Sequence, residues 1–181
     1  MGNTNISYKQ VRMIILLSAT NTILIGFMGS GKSSVGRLLA KEKKRYFLDT
    51  DSMIENSEGM CIQKIFDEKG EPYFRQLEDD TVAWLNKNCN DTVISTGGGM
   101  LVHCKGLKEV GKIVYLRVPF SKILERMSSV ELEKRPLFKD PVSAEEMYNK
   151  RDKIYESKAD IVVDADADLQ IVLSRLRDAI A

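Results

Sequence analysis

The sequence predicts a three-layer αβα fold on a five-stranded parallel sheet, and three observations carry that expectation. Five short apolar segments of strand type alternate with segments of helical periodicity along the 181 residues. Strands joined in this way need crossovers, which cover a parallel sheet on both faces. The first strand stops at GFMGSGKS, residues 26 to 33, directly before a helical pattern. Ligands of such sheets bind at the carboxyl ends of the strands.

The elements follow in order. The apolar run ILI ends at Gly26, and Val35, Leu38 and Leu39 then repeat at helical spacing, so a strand, a tight loop and a helix over 33 to 43 are expected. Further strands are expected at Tyr46 to Leu48, Thr92 to Ser95, Lys112 to Leu116 and Asp160 to Val163. Helices are expected over 52 to 68 in two pieces, 71 to 88, 104 to 109, 120 to 128, 143 to 157 and 167 to 180. No repeat, linker or low-complexity tract interrupts them, so residues 21 to 181 read as one domain. That length buries roughly 70% of the unfolded surface without staples.

Composition excludes several function classes. A net charge of +1, with 29% charged and 43% apolar residues, gives no basic surface for nucleic acid and no sign of a membrane partner. Cys61, Cys89 and Cys104 are odd in number and lack CxxC spacing, which argues against a disulfide framework and a zinc site and fits a reducing cytoplasm. The single histidine, His103, reads as a surface or helix-entry residue. Residues 1 to 20 contain MIILLSA after Lys9 and Arg12, like a short signal core, but no small-x-small cleavage pattern follows and Ile6 breaks a myristoylation signal. They are expected to form a disordered or loosely docked extension, with Met13 an alternative start.

The loop carries the chemistry. Glycines let successive backbone N–H groups turn inward, and the following helix adds the positive end of its dipole, so an anion is wanted there. The spacing from Gly26 to Gly31, Lys32 and Ser33 is that of a Walker A loop, in which lysine reaches the outer phosphates and the hydroxyl meets Mg²⁺. Ser34 stands where a dinucleotide fingerprint would need glycine. A plain glycine turn before a helix is the competing reading.

Other motifs stand at the remaining strand ends. Asp49 and Asp51 in LDTD, two apart on an extended chain, are expected to face one pocket, one carboxylate for Mg²⁺ and one for a hydroxyl acceptor. Alternatively, one of them caps a helix beginning near Ser52. Arg75 and Glu78 stand one helical turn apart, so Glu78 can hold the guanidinium fork toward a carboxylate ligand; on a solvated face the pair would mean little. Gly97, Gly98 and Gly99 allow close backbone approach to a ligand, where a plain flexible turn is the alternative. The segment SSVELEKRPLFKDPVS reads as a mobile lid over about 129 to 142, in which Pro136 holds Arg135 extended for charge on a transferring phosphoryl group. Arg126 and Arg151 flank it on helices, where an ordinary surface cation is the other possibility.

In this order and spacing, GFMGSGKSS, LDTD, FRQLE, STGGG and KRPL resemble the shikimate kinase family over residues 21 to 180. The resemblance implies a nucleoside-monophosphate-kinase-like fold that moves the γ-phosphate of ATP to the 3-hydroxyl of shikimate with Mg²⁺. It implies that Gly29, Ser30, Gly31, Lys32, Ser33 and Ser34 bind the ATP phosphates, Ser33 ligates Mg²⁺, and Asp49 supports the metal from behind. It implies that Asp51 binds the shikimate hydroxyls and is the candidate base, with Arg75, Arg151 and the Gly97, Gly98, Gly99 run, Gly98 above all, holding the rest of the molecule. Arg135 becomes the lid arginine on the phosphates, and Arg126 stacks against adenine. Two departures stand out: VDADADLQ lacks the basic residue common near adenine, and the first twenty residues match no family pattern. The implied protein is a cytoplasmic monomer. Two rival readings are a kinase for another polyhydroxy acid such as gluconate and a catalytically silent nucleotide-binding partner protein.

Overall fold

The structure, a computed structural model, describes residues 20–127 and 136–181. Strands β1 (Asn21–Ile25), β2 (Tyr46–Asp49), β3 (Thr92–Ser95), β4 (Gly111–Arg117) and β5 (Ile161–Asp164) pair in parallel in the order β2-β3-β1-β4-β5. The helices are α1 (Lys32–Lys43), α2 (Thr50–Glu58), α3 (Ile62–Asn88), α4 (Met100–His103), α5 (Leu107–Val110), α6 (Phe120–Arg126), α7 (Pro141–Lys158) and α8 (Leu169–Ile180).

All of β1 is buried, as a central strand covered on both faces requires. Its alternation assigns the two halves of the core. Leu24 packs with Val35 and Leu39 of α1, Ile123 of α6 and Leu176 of α8, whereas Ile23 and Ile25 pack with Val82 and Leu85 of α3 and Leu101 of α4. Helix α7 serves both halves, contributing Ala144 and Tyr148 to the first and Tyr155 to the second. It spans the carboxyl ends of the strands: Tyr148 Oη donates to Val118 O beyond β4 at 3.0 Å, and Tyr155 Oη donates to Gly98 O beyond β3. A smaller cluster of Ile54, Ile65 and Phe74 ties α2 to α3.

The element boundaries depart from expectation where one residue overrides a periodic pattern. The expected pieces over 52 to 68 and 71 to 88 become α2 and a long α3, whose only break is Gly70 at φ 80°, ψ 168°, two residues before Pro72. The helix expected over 104 to 109 is absent as such: α4 and α5 flank Cys104 to Gly106, and Gly106 turns left-handed at φ 87°. Of the lid expected over 129 to 142, residues 129–135, Arg135 included, lie outside the described residues. Its end is not loop, because residues 136–139 form a 3₁₀ turn and α7 begins at Pro141. Asp140 caps α7, accepting from Val142 N at 3.1 Å and Ser143 N at 3.3 Å. Phe138 anchors the turn edge-on against Phe27, ring centroids 6.4 Å apart. The extension expected over 1 to 20 lies, Thr20 apart, outside the described residues. Among the described residues no helix is long and apolar enough to cross a membrane.

Candidate active site

The loop between β1 and α1 lines a cavity at the carboxyl end of β1. Gly29 and Gly31 take φ 80° and 86°, which a side chain would resist, so glycine is what lets the chain turn into α1. Lys32 is 8% exposed, and its Nζ donates to Gly26 O at 2.9 Å and Phe27 O at 3.0 Å, so the ammonium is gathered into the loop. Ser30 Oγ is buried without a partner among the described residues.

Beside the loop, Ser33 Oγ donates to Asp49 Oδ2 at 2.7 Å and lies 3.3 Å from Ser95 Oγ. Asp49 Oδ1 accepts from Ser52 N at 3.3 Å, so this residue also caps α2. The expectation that Asp49 and Asp51 share an extended chain is therefore corrected: Asp49 ends β2, and Asp51 stands in the first turn of α2. They still face one cavity, because the strand-to-helix turn brings the helical side chain round to the same side. Asp51 Oδ1 is buried and has no partner among the described residues. Burial, then the Asp49 carboxylate, pushes the Asp51 carboxyl up to about 6, with Lys32 pulling the other way.

A cavity of about 390 Å³ joins these groups, lined by Lys32, Ser33, Asp49, Asp51, Gly98 and Arg126 among others. Each glycine of the run beyond β3 lies against a different side chain. The Cβ position of Gly97 falls on Asp51 Oδ1, that of Gly98 is 3.5 Å from Arg151 Nη1, and that of Gly99 is 2.8 Å from Arg75 Nη1. Lys32, Asp51, Arg75, Gly98 and Arg151 thus share one end of the sheet.

Arg75 is held from two sides. Nη1 donates to Glu78 Oε2 at 2.7 Å, while Nη2 and Nε donate to Glu71 Oε1 at 2.7 and 3.0 Å. Burial opposes its charge, but the bonds to Glu78 and Glu71 hold its pKa above the ordinary value. Glu78, with a side chain 1% exposed, is raised by burial despite that pairing. Arg126 donates from Nη1 to Ala165 O at 3.0 Å and from Nη2 to Asp166 Oδ1 at 3.3 Å. It thereby divides the first cavity from a second of about 300 Å³ lined by Ser34, Ala167, Asp168 and Leu169.

Sequence reasoning missed four neighbours. Glu71 was readable from its place one turn before Arg75. Thr50, whose Oγ1 accepts from Gly97 N at 3.0 Å, lay inside the quoted LDTD. His103 stands on the run rather than on a neutral surface, its Cδ2 3.4 Å from the Cβ position of Gly99, and burial, then Arg75 and Arg151, lowers its pKa. Tyr155 carried no local signal, since only the tertiary fold brings it to Gly98.

A glycine-rich strand-to-helix loop at the central strand of a five-stranded parallel sheet puts the chain in the P-loop kinase class. The family model described as shikimate kinase matches residues 28–181. The shikimate kinase of Helicobacter hepaticus is 42% identical over 147 residues, 81% of this chain and 87% of that protein. The crystal structure of shikimate kinase from Aquifex aeolicus is 39% identical, with a TM-score of 0.74 over 88% of this chain and 95% of that one. Shikimate kinase from Acinetobacter baumannii, in complex with shikimate, is 29% identical, with a TM-score of 0.80 over 89% of this chain and 92% of that one. The chain belongs to the shikimate kinase family.

Proposed function

We propose that this chain transfers the γ-phosphoryl group of ATP to the 3-hydroxyl of shikimate, forming shikimate 3-phosphate for aromatic amino-acid (chorismate) biosynthesis in the cytoplasm. The observation that carries the reading is the single cavity that holds Lys32 and Ser33 beside Asp51 and Gly98. The free state of Cys61, Cys89 and Cys104 is consistent with a reducing compartment.

The loop amides from Gly29 to Ser34, Ser30 included, and Lys32 bind the β- and γ-phosphates. Arg126 and the second cavity take the adenine, and Ala165 O and Ala167 O, which accept from Arg126, hold its guanidinium at the cavity wall. Arg75 and Arg151 bind the shikimate carboxylate, Gly97, Gly98 and Gly99 let its ring approach the backbone, and Asp51 aligns the 3-hydroxyl. The resemblance carried by KRPL gives Arg135, which lies outside the described residues, the role of a phosphate-binding arginine.

The donor set fits Mg²⁺. Ser33 offers a hydroxyl, Asp49 a carboxylate 2.7 Å away, and the buried, partnerless Asp51 Oδ1 marks an unmet demand for positive charge. Bound with ATP, the metal would neutralise charge on the phosphates, and Ser33 and Asp49 would hold it. Asp51, raised to about 6, is deprotonated at neutral pH yet basic enough to accept the hydroxyl proton as the phosphoryl group departs.

The test is ADP release with ATP and Mg²⁺ against a panel of shikimate, quinate and gluconate. Release that depends on shikimate supports the reading. Release with gluconate alone favours the rival kinase, and none with any acid favours a silent nucleotide-binding protein. Chelation by EDTA should abolish turnover and excess Mg²⁺ should restore it.

A further inference from the structure

Tyr155 is 1% exposed, lies four residues after Arg151 on α7, and so shares one helical face with it. Its hydroxyl donates to Gly98 O. The Cβ position of Gly98 is flanked by Arg151 Nη1 at 3.5 Å and Tyr155 Oη at 3.8 Å, so one turn of α7 grips the middle glycine with both side chains. The phenol ring is fixed in turn, packed on Tyr115 with ring centroids 5.2 Å apart.

This contact has a consequence for backbone polarity. In a trans peptide the C=O and the following N–H point in opposite directions. While Tyr155 holds the Gly98 carbonyl, the Gly99 N–H is turned the other way, and it has no hydrogen-bond partner among the described residues. A glycine pair resists rotation of that peptide less than any other, since neither residue has a Cβ to oppose it. The tyrosine bond therefore supplies the restraint that the sequence itself lacks.

We propose that Tyr155 is a positioning residue that sets the orientation of the Gly98–Gly99 peptide and holds it in register with Arg151, so that backbone and guanidinium meet the same acidic substrate. The inference rests on the shikimate reading. Burial holds the phenol up at about 12, opposed by Arg151, so it stays a donor throughout the working range of pH.

The test is Tyr155→Phe in the full chain, which keeps the ring and removes the hydroxyl. Shikimate binding by calorimetry should weaken about 5- to 20-fold and the shikimate KM should rise in step, whereas kcat and the ATP KM stay within about twofold. Tyr115→Phe is the control. It deletes another buried phenol oxygen, bonded to Asp152 Oδ1 at 2.6 Å and away from Gly98, and should leave shikimate binding within about twofold. An unchanged shikimate affinity in Tyr155→Phe overturns the proposal. So does an equal loss in Tyr115→Phe, or a parallel rise in both KM values with a lower melting temperature, because either reports general loosening. A wild-type chain that ignores shikimate fails the functional reading instead.

Discussion

Asp51 Oδ1 occupies the place where a side-chain carbon on residue 97 would stand. The glycine is there for the carboxylate, not for a turn, because Gly97 is absent from the positive-φ glycines of the chain. Gly97→Ala should thus leave the backbone unstrained and push Asp51 aside. We expect kcat to fall about 10- to 100-fold, the scale of a misplaced catalytic group, with melting within a few degrees of wild type. A variant that melts early in proportion to its lost activity would contradict this assignment.

The raised pKa of Asp51 makes a signed prediction. An acid whose folded pKa lies above its unfolded value binds its proton more tightly when folded. Its stabilisation is complete below the ordinary carboxyl value of 3.8 and is lost as pH rises through about 6. At about 1.4 kcal/mol per pH unit, the cost above that range is about 3 kcal/mol at most. Asp51→Asn should therefore raise the melting temperature of the ligand-free protein at pH 7.5 more than at pH 4.5, while abolishing transfer. In the wild type, kcat/KM should rise with pH through about 6; a flat profile between pH 5 and 7 would remove Asp51 from the reaction.

How far the chain could be read in advance differs from motif to motif. The Walker spacing fixed the loop and its place in the sheet, because glycine, lysine and a strand end are all local signals. The two carboxylates of LDTD do line one cavity, but not because they share an extended chain. Periodicity could not show that α2 starts at Thr50, since capping by Asp49 Oδ1 on Ser52 N decides it. The helix expected over 104 to 109 failed because Gly106 entered the left-handed region, which a glycine permits but does not announce. Tyr155 was invisible as a site neighbour for a different reason: its contact with Gly98 spans 57 positions, and no pattern within a window reports such a pairing.

Under the proposed function, the arginine that pairs with Glu78 would carry two roles that a simple truncation mixes. Arg75→Ala should raise the shikimate KM, but it also strands a carboxylate whose side chain is 1% exposed. Breaking a buried pair from one side costs about 3 kcal/mol or more. Arg75→Ala should thus lower stability as well as affinity, and adding Glu78→Gln should recover most of the stability and none of the affinity. Urea unfolding and shikimate titration of the wild type and the two variants separate the roles. Recovery of both, or of neither, would show that Glu78 does not depend on Arg75 for its charge.

Lys32 lines the cavity on the side of the glycine-rich loop, whereas Arg75 and Arg151 lie against Gly99 and Gly98, so under the proposed roles their losses should differ in kind. The ammonium, gathered against Gly26 O and Phe27 O, is placed to follow charge as it develops on the moving phosphoryl group. Lys32→Ala should reduce kcat at least about 100-fold and leave calorimetric shikimate binding within about twofold. Such a pattern marks an interaction made in the transition state rather than in the ground state. A Lys32→Ala enzyme that keeps its kcat but needs more shikimate would place the ammonium on the acid instead, and the division of the cavity between nucleotide and acid would have to be reversed.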